Sequence, residues 1–229
     1  MVDNPKYVHD TDIHRSKDAE HIVPFIIKLF HPSSVLDVGC GLGNFLKVFI
    51  DSGIGDVTGI EGEWLDLGKL AIDKEFIRIK DLEKPFDLER RFDIALCLEV
   101  AEHISEDAAE HLIGTLTAHS DVVIFSAAIP GQGGQNHINE QWIEYWEALF
   151  NKYDYKLYDI IRPFIWNIHD IFWWYRQNIV VYIKRSKDVS FRTTPGNNYI
   201  HPELYLSKIS EINTLKDELK LHTIATNNH

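Results

Sequence analysis

The chain is short of cysteine: Cys40 and Cys97 are the only two among 229 residues. Two thiols cannot build a disulfide framework, and so low a count suits a reducing cytoplasm. Positive charge is also scarce, with 23 lysines and arginines against 35 aspartates and glutamates, a formal charge of −12. The basic residues form no cluster. Phosphates must be met by lysine and arginine, so nucleic acid is disfavoured as a partner. No apolar run approaches the roughly 18 to 20 residues of a membrane span. The opening MVDNPK lacks the basic-then-apolar pattern of a signal peptide. Internal repeats and low-complexity tracts are missing too. What remains is an ordinary globular composition, 45% hydrophobic and 25% charged, in a length that suits one large domain, or a domain plus a tail. The expectation is a cytoplasmic protein that handles a small molecule.

Hydrophobic patterning alternates between two periods. An amphipathic run from Ser16 to Phe30, with a bend or restart expected at Pro24, precedes a short apolar strand at 35–38. Further strands are expected at 56–60, 76–79, 92–98 and 121–126, with helical stretches at 44–49, 64–72 and 107–116 between them, and a helix around Trp142, Trp146, Leu149 and Phe150 after the fifth. Two last strands, 155–161 and 178–183, have no obvious long helix between them and so suit an antiparallel pair at one edge. Strands separated by helices give an α/β doubly wound, mostly parallel sheet of seven strands with helices on both faces. The domain is expected over 1–190, with 191–229 a linker and helical extension. Leu206, Ile209, Ile212, Leu215 and Leu219 fall near a 3.5-residue period, which suits a packed terminal helix or a homodimer contact. Residues 1–16, with Tyr7, His9 and His14, are polar and placed to act as a lid.

A glycine-rich turn, Gly39-Cys40-Gly41-Leu42-Gly43, stands where the first strand hands over to a helix, the nucleotide-binding point of a doubly wound sheet. The dinucleotide fingerprint requires glycine at the position of Asn44 and is not met. The block Val35-Leu36-Asp37-Val38-Gly39-Cys40-Gly41-Leu42-Gly43-Asn44-Phe45-Leu46 instead resembles motif I of the class I S-adenosylmethionine-dependent methyltransferases. The resemblance extends over roughly residues 20–185 and implies a Rossmann-like fold with S-adenosylmethionine as cofactor and S-adenosylhomocysteine as product. By it, Gly39 and Gly41 shape the pocket for the methionine part, and Asp37 positions its amino group or orders the loop. Glu61 ends the second strand, where a carboxylate can accept both ribose hydroxyls. Taken alone it would read as a solvated loop acid. Asp81 and Leu82 follow the third strand, where the family holds the adenine. Cys40, Gly62, Leu98 and Glu99 complete the implied cofactor set.

The fourth strand runs into Glu99-Val100-Ala101-Glu102-His103. If it begins a helical turn, Glu99, Glu102 and His103 share a face. In one reading His103 is the general base that takes a hydroxyl proton, with Glu99 or Glu102 orienting the ring. In another, Glu-x-x-Glu-His resembles the metal-binding motif of small-RNA 2′-O-methyltransferases and ubiquinone-pathway O-methyltransferases, and the His137-Ile138-Asn139-Glu140 segment supplies a further ligand. In a third, His103 only lines the cofactor or caps the turn. The glycine-rich loop 127–142 offers Asn136, His137 and Asn139 to a substrate, with His137 a second candidate base, while Asn139 also suits a helix N-cap. Arg162 and Arg176, with Trp166, Trp173, Trp174 and Tyr175, would wall a pocket for a phosphate or carboxylate, although Trp173 and Trp174 read more simply as core. These later segments resemble, more loosely, bacterial methyltransferases of surface polysaccharide biosynthesis. The expected reaction is O-methylation of a small hydroxylated acceptor such as a sugar, sugar nucleotide or sugar-linked phosphate. The alternatives are a metal-assisted nucleic-acid 2′-O-methyltransferase and a non-catalytic cofactor-binding partner subunit.

Overall fold

The computed structural model describes residues 16–191 and 197–227, with side chains described as far as Leu219. The proposed lid, Tyr7, His9 and His14 included, falls almost wholly outside the described residues. The chain divides into a unit ending at Asn198 and one beginning at Tyr199.

Seven strands form the first unit's sheet: β1 (Ser34–Val38), β2 (Asp56–Glu61), β3 (Ile77–Ile79), β4 (Ile94–Leu98), β5 (Val122–Ser126), β6 (Tyr155–Tyr158) and β7 (Val180–Lys184). Their order is β3-β2-β1-β4-β5-β7-β6. The first five are parallel, and β7 runs antiparallel to both β5 and β6, making the antiparallel pair at one edge. Strands β1, β4 and β5 are buried along their whole length, as a sheet covered on both faces requires. Side chains alternate between two cores. Leu36, Val38, Ala95, Cys97, Val123 and Phe125 face one, and Val35, Ile94, Leu96, Leu98, Val122 and Ile124 face the other. Helices α3 (Glu106–His119) and α4 (Ile143–Lys152) cover the first face through Leu112, Leu116, Trp146 and Phe150. Helices α1 (Ser16–Phe30) and α2 (Asn44–Asp51) cover the second through Ile22, Ile26, Leu46 and Phe49. Two short helices, α5 (Arg162–Ile165) and α6 (Trp173–Asn178), lie between β6 and β7.

Three expectations are corrected. Helix α1 continues across Pro24, which is exposed; the hydrogen bond that proline cannot donate is lost on the solvent side, while Ile22, Val23 and Ile26 hold the helix to the core. The helix expected at 64–72 is only a 3₁₀ turn at Leu67–Lys69, because Asp66 accepts from the Gly68 amide and offers the backbone a local alternative. The strand expected at 155–161 stops at Tyr158, where Asp159 is drawn into an ion pair with Arg162 and Pro163 opens α5. The second unit is one long helix, α7 (Pro202–Asn227). Among the described residues, no helix is long and apolar enough to cross a membrane.

Candidate active site

Strand order reverses at β1, between β2 and β4, and side chains gather at the strands' C-terminal ends there. Leaving β1, the amides of Gly39 and Cys40 both donate to the Ile60 carbonyl, at 2.8 and 3.1 Å, which ties the turn to β2. Gly39 has φ +78°, and a Cβ on it would lie 2.3 Å from Val100 Cγ2. Gly39→Ala therefore combines left-handed strain with a collision. It should lower stability by about 2–3 kcal/mol, read as a lower urea midpoint with an unchanged slope.

Glu61, at the tip of β2, is buried, with one oxygen taking the Gly41 amide and the other the Gly62 amide, both at 2.8 Å. Burial raises its pKa, while the Gly62 and Gly41 amides and the Trp64 indole oppose the rise. Asp37 on β1 is pushed up to about 8, by burial first and by Glu61 second. Asp81 lies in the open after β3, paired with Lys84 at 2.8 Å, which holds it below its ordinary range, and Leu82 beside it is buried.

At the end of β4, Glu99 has φ +54°, and its amide donates to the Ser126 carbonyl and Oγ, both at 3.0 Å. This left-handed residue breaks the helical turn that would have put Glu99 on one face with Glu102 and His103. Its carboxylate turns instead to Asn178 Nδ2, at 3.1 and 3.2 Å, and to Gln132 Nε2, at 3.3 Å. Burial raises its pKa against those hydrogen bonds.

Glu102 follows in a 3₁₀ turn, Ala101–His103, and is fully buried, with no side-chain hydrogen-bond partner on either carboxylate oxygen. Its pKa is driven well above the carboxylate range, by burial and then by Glu99, with the backbone amides of Glu102 and Ala128 opposing. The Glu102 carbonyl accepts from the amides of Ile138 and Asn139, at 2.9 and 3.0 Å, and so draws the loop after β5 onto the turn. Asn139 is therefore committed here, and Trp142, not Asn139, sits at the N-cap of α4. The rings of His103 and His137 meet edge to face, 4.9 Å between centroids. Ligating atoms of Glu102, His103 and His137 lie within 4.8 Å of one another. His137 Nδ1 is 2.8 Å from Glu140 Oε1, and Glu140 also takes the amides of Gly131 and Gly133.

Helix α6 supplies further lining. Trp173, Trp174 and Tyr175 are half-buried and line the cavity, so the two indoles are not the core residues the sequence favoured. Phe172 stacks on Trp174 at 4.1 Å, and Tyr175 meets Phe45 of α2 edge to face. Arg162 and Arg176 do not line it. Both are buried, Arg162 pairing with Asp159 at 2.8 Å and Arg176 donating to the Trp166 carbonyl at 3.1 Å.

A single cavity of about 540 Å³ joins these parts, within the ordinary range for small-molecule sites. Of the expected cofactor positions, Asp37, Gly39, Cys40, Gly41, Glu61, Asp81, Leu82, Leu98 and Glu99 line it, as do Glu102, His103 and His137. Gly62 does not; it acts from behind by holding Glu61. Sequence reasoning missed Trp64 and Gln132 as lining residues, and Asn178 as the group that holds Glu99.

The sequence model described as "Methyltransferase domain" matches residues 11–171. The chain belongs to the methyltransferase-domain family. No curated protein matches it by sequence. Among solved structures, it is similar in fold to the sugar N-methyltransferase KedS8 from Streptoalloteichus sp. ATCC 53650, at 15% identity and a TM-score of 0.60, covering 81% of this chain and 97% of that one. It is also similar to magnesium protoporphyrin IX methyltransferase from Synechocystis PCC 6803 with bound SAH, at 14% identity and TM-score 0.55, covering 79% and 90%. A third is the plantazolicin methyltransferase BpumL in complex with SAH, at 20% identity and TM-score 0.52, covering 76% and 86%. This methyltransferase uses S-adenosylmethionine. Its own residues fit that cofactor: a turn whose side-chain space is already filled by Val100, and a buried carboxylate at the tip of the neighbouring strand.

Proposed function

We propose that this methyltransferase methylates a hydroxyl oxygen of a small acceptor, a sugar unit such as those of surface glycans, and that Glu102, His103 and His137 activate that hydroxyl. The observation that carries this reading is Glu102: a fully buried carboxylate with no side-chain hydrogen-bond partner, beside two imidazoles in the same cavity. A neutral amine already has the lone pair it needs, whereas a hydroxyl is a poor nucleophile until its proton is accepted. A non-catalytic cofactor-binding subunit would have no use for such a cluster.

S-adenosylmethionine supplies the methyl group on a sulfonium, so the chemistry left to the protein is alignment and deprotonation. Glu61 would hold the ribose hydroxyls, Asp81 and Leu82 the adenine, and the Gly39–Gly41 turn with Asp37 the methionine part. His103 or His137 takes the acceptor proton. Glu140 fixes the His137 ring through Nδ1.

A divalent cation at the same three residues is the second reading. One carboxylate and two imidazoles are an ordinary donor set for zinc, iron or manganese. The Glu140 contact at 2.8 Å is the outer-shell carboxylate that metal-bound histidines use. A cation held there would lower the pKa of the acceptor hydroxyl.

The test is product analysis with labelled cofactor on hydroxylated and aminated sugars, with His103→Ala, His137→Ala and a chelator as arms. Each variant should lose roughly 10²–10⁴-fold in turnover while cofactor affinity by calorimetry stays near wild type. An N-methyl product, or full turnover by both variants, would sink the hydroxyl reading. Activity lost to the chelator and restored by manganese or zinc selects the metal reading over the direct base.

A further inference from the structure

We propose that the acceptor unit entering this cavity carries no phosphate or carboxylate: the site takes a neutral hydroxylated ring, a glycoside, and rejects its anionic counterparts. This rests on the hydroxyl-acceptor reading above and narrows it to one charge class. It also departs from the expectation of a sugar-linked phosphate or a nucleotide diphosphate held inside the pocket.

Charge is the first support. Six carboxylates line the cavity, Asp37, Glu61, Asp81, Glu83, Glu99 and Glu102, and among the described lining residues there is no lysine or arginine. The guanidinium groups that the sequence offered to an anion are committed elsewhere, to Asp159 and to the Trp166 carbonyl. A phosphate seated against Glu99 and Glu102 would surrender its water with no lysine or arginine in return, and a buried charge without such a partner is costly.

Surface chemistry is the second. The half-buried rings of Trp173, Trp174 and Tyr175 line the same cavity as His103 and His137. Indole faces accept the C–H face of a saturated ring, with the polar edge of the ring left for other partners. Gln135 and Asn136, on the glycine-rich loop, also line the cavity. Primary amides both donate and accept, which matches hydroxyl groups and gives no preference to an anion. Aromatic rings and amides lining one cavity suit a ring with an apolar face and a hydroxylated rim.

The test uses the full chain loaded with S-adenosylhomocysteine, in chelator so that no cation bridges a phosphate. Methyl glycosides of glucose, galactose and mannose are titrated beside the 6-phosphates and uronates of the same sugars, with tryptophan fluorescence and ligand-observed NMR as readouts. Neutral glycosides should bind with a change in tryptophan emission, and the anionic partners should bind at least roughly tenfold more weakly. Trp174→Ala should weaken the neutral series, and Gln135→Lys should narrow the gap by giving the anions a cation. Equal or tighter binding of the phosphates or uronates overturns the proposal, and so does failure of every neutral glycoside to bind. Turnover separates the two readings. O-methylation of phosphorylated sugars as efficiently as neutral ones defeats the charge selection and spares the hydroxyl acceptor. N-methylation of a neutral amino-sugar derivative, with anions still rejected, does the reverse.

Discussion

Glu102→Met should melt at a higher temperature than the wild-type protein and transfer methyl groups at least a hundredfold more slowly, a loss on the order of 10²–10⁴. The two effects have one cause. Glu102 is fully buried, and neither carboxylate oxygen has a side-chain hydrogen-bond partner. Nothing in the fold needs that charge, and replacing an uncompensated buried ionisable group by an apolar side chain of similar volume commonly stabilises by about 1–4 kcal/mol. Because its folded pKa lies well above the ordinary carboxylate value, its contribution to stability is complete at acid pH and is lost as pH rises from about 4 upward. The advantage of the methionine variant should therefore be small at pH 4 and large at pH 8, read from thermal melts without cofactor. A variant less stable than wild type at both pH values would mean that Glu102 is a structural anchor and not a poised acid.

Asp37→Asn should produce the second large effect, again with opposite signs for stability and binding. Burial and the neighbouring Glu61 push Asp37 up to about 8. A carboxyl raised this way binds its proton more tightly folded than unfolded, so its stabilising share is full below about pH 4 and is lost as pH rises to about 8. Four pKa units set an upper bound of about 5 kcal/mol on that loss. Asparagine removes the dependence, so the cofactor-free variant should gain on wild type across that window. Cofactor binding should move the other way. A cationic ligand favours the ionised carboxylate, so wild-type affinity should climb from about pH 6 to about pH 8 as the proton is released. In Asp37→Asn the affinity should be lower and the slope flat. Calorimetry in buffers of different ionisation enthalpy counts the released proton directly, and a count of zero in the wild-type protein would refute the argument.

What could be read from the sequence was local. The turn after β1 is carried by adjacent residues, and Glu61 lies at a fixed spacing beyond it, so this part of the proposed cofactor site is encoded within one strand-helix-strand unit. The rest of the cavity joins residues distant in sequence. Asn178 reaches Glu99 across 79 positions, and His137 meets His103 only because the Glu102 carbonyl captures the Ile138 and Asn139 amides. No periodicity announces either. Trp173 and Trp174 were misjudged because an indole on a short helix has the same sequence signature whether it faces a core or a cavity. The arginines were misjudged for a related reason: a guanidinium near aromatic residues shows its charge in the sequence but not its partner, and both partners here lie in the same connection. At 64–72 the apolar spacing favoured a helix, and one aspartate-to-amide contact decided otherwise.

The connection between β6 and β7 carries a further meaning. Antiparallel neighbours need only a tight reversal of two or so residues, yet residues 159–179 are interposed, bearing both short helices and three aromatic rings of the cavity. Sheet geometry makes no demand on that excursion, so its length and side chains are free to vary without disturbing the strands it joins. Relatives sharing the adenosyl-gripping half of this enzyme can therefore differ in diet by rewriting one detour.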